Sequence, residues 1–261
     1  MNDDIRTRRG GLLNGRVAMV TGASSGIGAA AARLFAEEGA AVVLMARRAE
    51  RLDELAREIT GKGGRVLAAP GDVARPEDVR RVVDAAVEAF GKLDTAFNNA
   101  GWGTAGTDLH ETEDAVFDQV MDVNVRGTWN CLRHQIPAML AEGAGAVVNT
   151  ASTAGVVATG AGAPYVTAKH AVIGMTKAAA AEYGERGIRI NSLVVGTTRT
   201  ELIEGAIEAH PHLEDAFVAR QIQKRMADPE EVAQAALWLL SDRASFVTGS
   251  AMAVDGGLTA V

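Results

Sequence analysis

A tyrosine and a lysine lie four residues apart in the segment YVTAK, which runs from Tyr165 to Lys169. On a helix, residues at this spacing share one face and lie one turn apart. An isolated tyrosine has a pKa of about 10 and is a poor base at neutral pH. A neighbouring ammonium favours the phenolate and lowers that pKa, so the pair can serve as a general acid/base. The spacing therefore predicts proton transfer at Tyr165, although such pairs are common in sequences and this one carries little weight alone.

A glycine-rich turn follows the first predicted strand, with the sequence TGASSGIG at residues 21–28. Glycine permits a tight turn and lets the backbone approach a pyrophosphate closely. The start of the next helix offers unpaired N–H groups and a positive dipole to an anion. The spacing GxxxGxG differs from the commoner dinucleotide fingerprint. We expect a dinucleotide phosphate site formed by Gly22, Ser24, Ser25, Gly26, Ile27 and Gly28.

The end of the second predicted strand indicates which dinucleotide binds. In dinucleotide folds an acidic residue near this point pairs with the ribose hydroxyls of NAD, whereas an arginine accommodates the 2′-phosphate of NADP. This chain has Ala46 at the acidic position, and Arg47 and Arg48 follow. We therefore favour NADP(H), chiefly through Arg47, and keep NAD(H) as the alternative. Ser25 argues the other way, because the family resemblance described below implies a second basic residue in the glycine turn of many NADP-using members.

These residues are positioned by short apolar runs that alternate with longer amphipathic stretches. Most of the runs are too continuous for a one-sided sheet, so they suit strands buried on both faces. The alternation predicts one α/β domain of the doubly wound Rossmann type, with helices on both faces of a seven-stranded parallel sheet ordered 3-2-1-4-5-6-7. The predicted strands are 17–20, 41–45, 65–68, 95–97, 146–149, 189–194 and 251–254. The predicted helices are 26–38, 48–59, 76–90, 113–140, 164–184 and 229–240.

Composition excludes several classes of protein. The net charge of −7 argues against nucleic acid as a partner, and the sequence has no apolar run of the roughly 18 residues that a membrane span needs. Cys131 is the only cysteine, so an intrachain disulfide is impossible, and we expect a cytoplasmic protein. His210 and His212 lack partners at metal-ligand spacing, and we expect no metal. We expect a flexible tail over residues 1–12, a catalytic domain over 13–261 and an irregular substrate lid over about 197–226.

The chain resembles the short-chain dehydrogenase/reductase family from about Gly15 to Gly257. The resemblance depends on motifs that occur in the family's order along the sequence. These are the turn 21–28, Asp72-Val73, the NNAG segment 98–101, Asn124, Ser152, Tyr165 with Lys169, the segment 191–200 and the DGG segment 255–257.

The resemblance implies hydride transfer between a nicotinamide dinucleotide and a secondary alcohol or ketone. Tyr165 would exchange the proton with the substrate oxygen, and Ser152 would stabilise the developing charge there. Lys169 would lower the tyrosine pKa and bind the nicotinamide ribose, and Asn124 would hold a water that links Lys169 to solvent. The implied cofactor contacts, besides Tyr165 and Lys169, are Asp72 and Val73 at the adenine, Asn98, Ala100 and Gly101 at the ribose, Val195 and Gly196 at the nicotinamide wall, and Thr198 and Thr200 at the carboxamide and pyrophosphate.

One position departs from the family pattern, because Val195 precedes Gly196 where the family usually has proline. Valine keeps the apolar surface, loses the fixed φ and regains an N–H. The expected pocket is apolar or small, which favours a neutral alcohol or ketone, with an alicyclic one as a candidate. Its expected lining is Trp102, Thr153, Ala154, Gly155, Val157, Val195, Gly196 and the lid at about 202–217.

Two other functions share these features. An isomerase or dehydratase could use the same fold, and a dinucleotide sensor or scaffold could bind the cofactor without turnover. The intact set of Ser152, Tyr165 and Lys169 favours an enzyme. The resemblance also implies a homotetramer, with helices 113–140 and 164–184 at one interface and residues 251–257 at another.

Overall fold

A computed structural model describes residues 10–103, 107–210 and 212–261 of the chain. Within these residues, one seven-stranded parallel sheet has the order β3-β2-β1-β4-β5-β6-β7. The predicted fold class and strand order are confirmed. The strands are β1 Val17–Thr21, β2 Ala41–Met45, β3 Arg65–Ala68, β4 Thr95–Asn98, β5 Gly145–Thr150, β6 Ile188–Val195 and β7 Ala251–Val254.

Helices cover both faces of the sheet, which explains why β1, β2 and β4 are buried along their whole length. On one face, α1, α2 and α9 contribute Phe35, Leu52 and Leu237 to the core. On the other face, α3 and α5 contribute Val79 and Met139. The helices are α1 Gly26–Glu37, α2 Ala49–Gly61, α3 Pro76–Phe90, α4 Asp114–Met121, α5 Gly127–Ala141, α6 Ala163–Tyr183, α7 Glu201–Ala209, α8 Leu213–Val218 and α9 Pro229–Leu240.

Local sequence signals fix several helix ends. Pro76 occupies the first turn of α3, where its missing N–H costs nothing, and Gly91 ends that helix at a φ of +82°. A capping box opens α9, because Asp228 and Glu231 each accept from the other's backbone N–H. These features hold the helices in place at both ends of the sheet.

Two predicted elements differ in part from the structure. The helix expected over 113–140 is present as a continuous helical segment, but a π-helical turn, Asp122–Arg126, separates α4 from α5. The lid expected to be irregular contains α7 and α8, because its acidic and apolar residues recur at helical spacing. Of the expected tail, residues 1–9 lie outside the described residues, while Leu12 is held by a hydrogen bond from its N–H to Glu38 Oε2 at 2.5 Å.

Polar side chains are buried beneath β4 and β5. The amide of Asn98 donates to Gln135 Oε1 and to Asn149 Oδ1, both at 3.0 Å, and Gln135 donates back to Asn98 Oδ1 at 2.8 Å. Asn149 in turn donates to Thr176 Oγ1 of α6 at 2.9 Å. This buried amide network ties the sheet to α5 and to the helix that carries Tyr165.

Candidate active site

A cleft of about 350 Å³ lies at the carboxyl ends of β1, β2 and β4. It lies where the strand order reverses between β1 and β4, the usual ligand site of an open parallel sheet. Among the residues expected to bind the cofactor, the cleft is lined by Gly22, Ser24, Ser25, Gly26, Ile27, Arg47, Asp72, Val73, Ala100, Gly101 and Thr200. It is also lined by Met45, Ala46, Arg48, Gly71, Asn99, Trp102, Gln119, Val123 and Glu201.

The glycine turn is packed so closely that side chains would not fit. A Cβ on Gly28 would overlap the carbonyl oxygen of Gly22. Gly22 has a φ of +66°, and a Cβ there would lie 3.0 Å from the Cα of Ala100. Thr21 Oγ1 accepts from the N–H groups of Asn99 and Ala100 at 3.0 and 3.1 Å and so joins the turn to β4. The first turn of α1 contains no acidic residue, so its N-terminal N–H groups and dipole remain favourable to a phosphate.

Arg48, rather than Arg47, contacts the glycine turn. Its Nη2 donates to Ser25 Oγ at 2.7 Å and to Ser24 Oγ at 3.1 Å, and its Nη1 pairs with Glu201 Oε2 at 3.1 Å. Arg47 is exposed and forms no hydrogen bond or ion pair with any residue in the described ranges. The cleft therefore holds two guanidinium groups beside Ala46. That of Arg47, the residue expected to bind the cofactor, is unpaired, whereas that of Arg48 is held in place by Ser24, Ser25 and Glu201.

The loop after β3 forms the next wall of the cleft. Asp72 Oδ1 accepts from the N–H of Ala74 at 3.0 Å, and the N–H of Asp72 donates to Asp78 Oδ2 at 3.0 Å. The carbonyl of Val73 accepts from Asn130 Nδ2 at 2.8 Å. These bonds fix Asp72 and Val73 in the wall of the cleft.

Tyr165, Lys169 and Asn124 converge beside the loop that follows β4. Lys169 Nζ lies 5.4 Å from the centroid of the Tyr165 ring and donates to the carbonyl of Thr150 at 3.0 Å. A Cβ on Gly101 would lie 3.1 Å from Asn124 Oδ1 and 3.3 Å from Lys169 Nζ. Asn124 therefore meets the Tyr165–Lys169 pair, which lies about 40 positions later in the sequence, at the edge of the cleft.

The π-helical turn positions Asn124. Its Nδ2 donates to the carbonyl of Trp102 at 2.6 Å and to that of Val120 at 2.8 Å, and its own carbonyl accepts from Thr128 Oγ1 at 2.7 Å. Inserted π turns occur frequently at functional sites, because they redirect a side chain within a helix. Asn124 thereby holds the loop at Trp102 against the helix that carries it.

Burial determines the protonation of the two central groups. Burial lowers the pKa of Lys169 from 10.5 to about 8. Burial also raises the pKa of Tyr165, and a hydrogen bond with Ser152 opposes that rise. Any lowering of the tyrosine pKa by Lys169 is therefore opposed by burial, which leaves the pKa of Tyr165 above its ordinary value in the free protein. A neutral Tyr165 is a proton donor.

Ser152 lies next to this group at the start of a short 3₁₀ turn, Thr153–Gly155. Its Oγ accepts from the N–H of Ala154 at 3.1 Å, which fixes the position of the hydroxyl oxygen. A Cβ on Gly155 would lie 2.8 Å from the carbonyl of Lys169, so the turn packs directly against α6. The N–H of Ala154 fixes the hydroxyl, and the packing of Gly155 on α6 keeps it within hydrogen-bonding reach of Tyr165.

Several expected cofactor contacts lie elsewhere. The side chain of Asn98 points into the buried amide network, and its neighbour Asn99 lines the cleft instead. Val195 is the last residue of β6 and lies opposite Val254 of β7. Gly196 packs against Asp255, where a Cβ would lie 2.7 Å from the Cα, and Thr198 is buried. Asn98, Val195, Gly196 and Thr198 are therefore not among the residues that line the cleft, whereas Thr200 is.

Sequence reasoning missed Met45, Gly71, Gln119, Val123 and Glu201. Met45 and Gly71 end or follow strands at the cleft edge, so the rule that ligands bind at the carboxyl ends of parallel strands could have indicated them. Gln119 and Val123 lie on either side of the start of the π-helical turn, and Glu201 begins the first helix of the lid. The sequence carried no signal for the π-helical turn or for the position of the lid.

Other expected features are placed as follows. Cys131 is buried, and burial raises the pKa of its thiol to about 12, so it packs as a small apolar residue. Within residues 10–103, 107–210 and 212–261, histidine, cysteine and carboxylate side chains form no group of three that could hold a metal ion. No helix in the described part of the chain is both long and apolar enough to cross a membrane.

Comparisons with known proteins agree with this geometry. A family described as enoyl-(acyl carrier protein) reductase matches residues 22–259. The chain is 54% identical to the A-factor type γ-butyrolactone 1′-reductase (1S-forming) of Streptomyces virginiae, over 97% of this chain and 99% of that protein. It is 45% identical to the 2,5-dichloro-2,5-cyclohexadiene-1,4-diol dehydrogenase of Sphingobium indicum, over 95% and 99% of the two chains. A crystal structure of a short-chain type dehydrogenase/reductase from Mycobacterium marinum superposes with a TM-score of 0.87 at 33% identity, covering 95% of this chain and 97% of that one. With its fold, motifs and relatives in agreement, the chain belongs to the short-chain dehydrogenase/reductase family of oxidoreductases that act on secondary alcohols and ketones with a nicotinamide dinucleotide.

Proposed function

We propose that this protein interconverts a neutral, ring-containing secondary alcohol and its ketone with NADP(H), and that Tyr165 transfers the proton. The observation that carries the proposal is the convergence of Tyr165, Lys169 and Asn124 at the edge of the cleft that begins at the glycine turn. The relatives compared above are named as a reductase and a dehydrogenase, which favours turnover over a sensor or scaffold.

The residues of the cleft fit the dinucleotide. The close-packed glycine turn and the start of α1 would hold the pyrophosphate, and Asp72 and Val73 the adenine end. Arg47 and Arg48 would meet a 2′-phosphate, since a planar guanidinium binds phosphate through paired donors. When bound, the nicotinamide supplies or accepts the hydride.

In the free protein, the protonation state of the proton-transfer residues suits the reduction of a ketone. Tyr165 is neutral at neutral pH and can donate its proton to the carbonyl oxygen as negative charge develops there. Ser152 can donate a second hydrogen bond to the same oxygen. Lys169 stabilises the phenolate that remains, because its ammonium lies over the tyrosine ring. In alcohol oxidation these residues act in reverse, and the phenolate accepts the proton.

The substrate class follows from the relatives and the nearby side chains. Their names contain a five-membered lactone ring and a six-membered cyclic diol, neither of which is charged. Trp102, which precedes the Gly103 that lies against the Tyr165 ring, and Val157, which follows the turn that carries Ser152, are half-buried and would offer apolar surface to such a ring. A neutral cyclic ketone or alcohol is therefore the first class to test.

A homotetramer remains part of the proposal. Phe117 on α4 and Trp129 on α5 are 43% and 52% exposed, unusual fractions for large apolar side chains. Both lie on the helices that the family resemblance assigns to an interface between subunits. Light scattering at micromolar concentration should give the tetramer mass, and a monomer mass would contradict this part.

The test is absorbance of the reduced nicotinamide with paired substrates. Cyclic secondary alcohols and ketones should turn over faster than acyclic ones of equal carbon number, and faster with NADP(H) than with NAD(H). A Ser152→Ala variant is the matched control, since it removes one hydroxyl and should lower turnover on every substrate alike. The substrate class is wrong if acyclic compounds are preferred, and the cofactor choice is wrong if NAD(H) gives the higher turnover efficiency.

A further inference from the structure

We infer that Glu201 is a cofactor-specificity residue whose carboxylate competes with a 2′-phosphate for Arg48, so that a 2′-phosphorylated ligand releases the start of the lid. The inference deepens the proposed cofactor choice and depends on the same cleft. Glu201 is the first residue of α7 and also lines the cleft.

Two neighbouring residues at the start of the lid contact Arg48 and the glycine turn, respectively. Glu201 Oε2 lies 3.1 Å from Arg48 Nη1. At the preceding position, Thr200 packs on the turn, because a Cβ on Gly26 would lie 3.0 Å from its Cγ2. These contacts join α7 to the part of the cleft that surrounds Ser24 and Ser25.

The guanidinium of Arg48 divides its donors between the turn and the lid. Nη2 and Nε donate to the hydroxyls of Ser24 and Ser25, which hold the group over the turn. Nη1 donates to Glu201, the first residue of α7 in the lid. A phosphate that entered this corner would meet a fixed cation, but one of its donors is already taken by a carboxylate.

A phosphate can replace this carboxylate. The side chains of Arg48 and Glu201 are 47% and 53% exposed, and an exposed ion pair contributes little to stability. A phosphate monoester carries a charge of about −1.5 to −2 at neutral pH and has more acceptor oxygens than a carboxylate. It would therefore take Nη1 and repel Glu201. A dinucleotide without the 2′-phosphate would leave the ion pair intact.

Two consequences distinguish this role from that of a simple lid anchor. Glu201 should weaken binding only of ligands that carry a 2′-phosphate. Occupancy of the 2′-phosphate position should also loosen the first turn of α7, which otherwise stays joined to the glycine turn. An anchor without a link to the cofactor would affect both kinds of ligand equally.

The experiment uses calorimetric titration of the full-length protein with adenosine 2′,5′-bisphosphate and with 5′-AMP. Glu201→Gln should tighten the bisphosphate by about two- to fivefold, the scale of one exposed ion pair, and leave 5′-AMP essentially unchanged. The matched control is Glu204→Gln, which removes the same charge from the same helix one turn later and should change neither ligand selectively. In an Arg48→Ala background the effect of Glu201→Gln should vanish.

Hydrogen exchange supplies a readout of the lid. In the unmodified protein, the bisphosphate should speed amide exchange within α7, and 5′-AMP should not. An equal change for both ligands, no change for either, or an effect that persists without Arg48 would overturn the inference. Cofactor choice is judged separately, from the ratio of the two affinities in the unmodified protein, and binding of neither ligand would refute the dinucleotide cleft itself.

Discussion

Replacing Lys169 by methionine should abolish turnover and yet stabilise the fold at neutral pH. Lys169 is only 3% exposed, and burial lowers its pKa from 10.5 to about 8. Since each pKa unit corresponds to about 1.4 kcal/mol, holding the charged ammonium in this site at pH 7 costs about 3 kcal/mol. Methionine has a similar length and no charge, so it removes that cost.

Part of this gain is lost again. The ammonium donates to the carbonyl of Thr150, and losing a donor to a partly buried carbonyl costs about 1 kcal/mol. The net stabilisation is therefore about 2 kcal/mol, or about 4–8 °C in melting temperature for a chain of this size. A group needed for proton transfer is retained here at the expense of stability, as often occurs in active sites.

The pH dependence gives the sharper test. Between the folded pKa of about 8 and the unfolded value of 10.5, the unfolded chain binds more protons at this lysine, so the free energy of unfolding of the unmodified protein rises with pH. The advantage of Lys169→Met should accordingly shrink by about 2 kcal/mol between pH 8 and pH 9.5. Measurements should stop near pH 9.5, because the raised pKa of Tyr165 makes stability fall again at higher pH.

The assay is urea unfolding at pH 7, 8 and 9.5, with the chain concentration fixed so that the proposed assembly affects all measurements alike. Lys177→Met is the control, since the same substitution on the same helix replaces an exposed lysine and should show no such pH dependence. The reasoning is refuted if Lys169→Met is less stable at pH 7, or if its stability follows pH as the unmodified protein does.

Three further changes test the site. Tyr165→Phe should lower turnover by about 100- to 10,000-fold while calorimetry finds nearly unchanged dinucleotide affinity, and more than about a tenth of the activity remaining would refute proton transfer at this residue. Gly103→Ala places a methyl group 2.7 Å from the Tyr165 ring, which must shift, so turnover should fall by about ten- to a hundredfold and stability by about 1–3 kcal/mol. Gly160→Ala, with open space around it, should be neutral in the same assays. Ala46→Asp should shift the ratio of turnover efficiencies toward NAD(H) by about 1–3 kcal/mol, and no shift would place the ribose away from this strand end.

The fold was predictable because its signals are local and repeated. The strands are runs of apolar residues that need no partner to be recognised, and Pro76 and Pro229 mark helix starts directly. The π-helical turn at Asp122–Arg126 was not predictable, since one wider turn barely alters the spacing of apolar residues along a helix.

The site was predictable where chemistry fixes spacing, as in Tyr165 and Lys169. It was not predictable where neighbouring residues compete for one role. Arg47 and Arg48 differ only in the direction that the backbone gives them before α2 begins, and that direction places Arg48 on the glycine turn. Glu201 meets Arg48 across 153 positions of sequence, a pairing that only the folded chain reveals.

The buried amide network constrains how this chain can diverge. The side chains of Asn98, Gln135 and Asn149 are joined by hydrogen bonds. Replacing any one with an apolar residue leaves buried polar groups of its partners without a hydrogen bond, at a cost of about 1–3 kcal/mol in the free energy of unfolding. Replacing all three together with apolar residues of matching volume can be nearly neutral. Evolution toward an apolar interior therefore has to pass through destabilised intermediates or change several codons at once. A library that randomises the three positions jointly should yield folded sequences that single-site scanning discards.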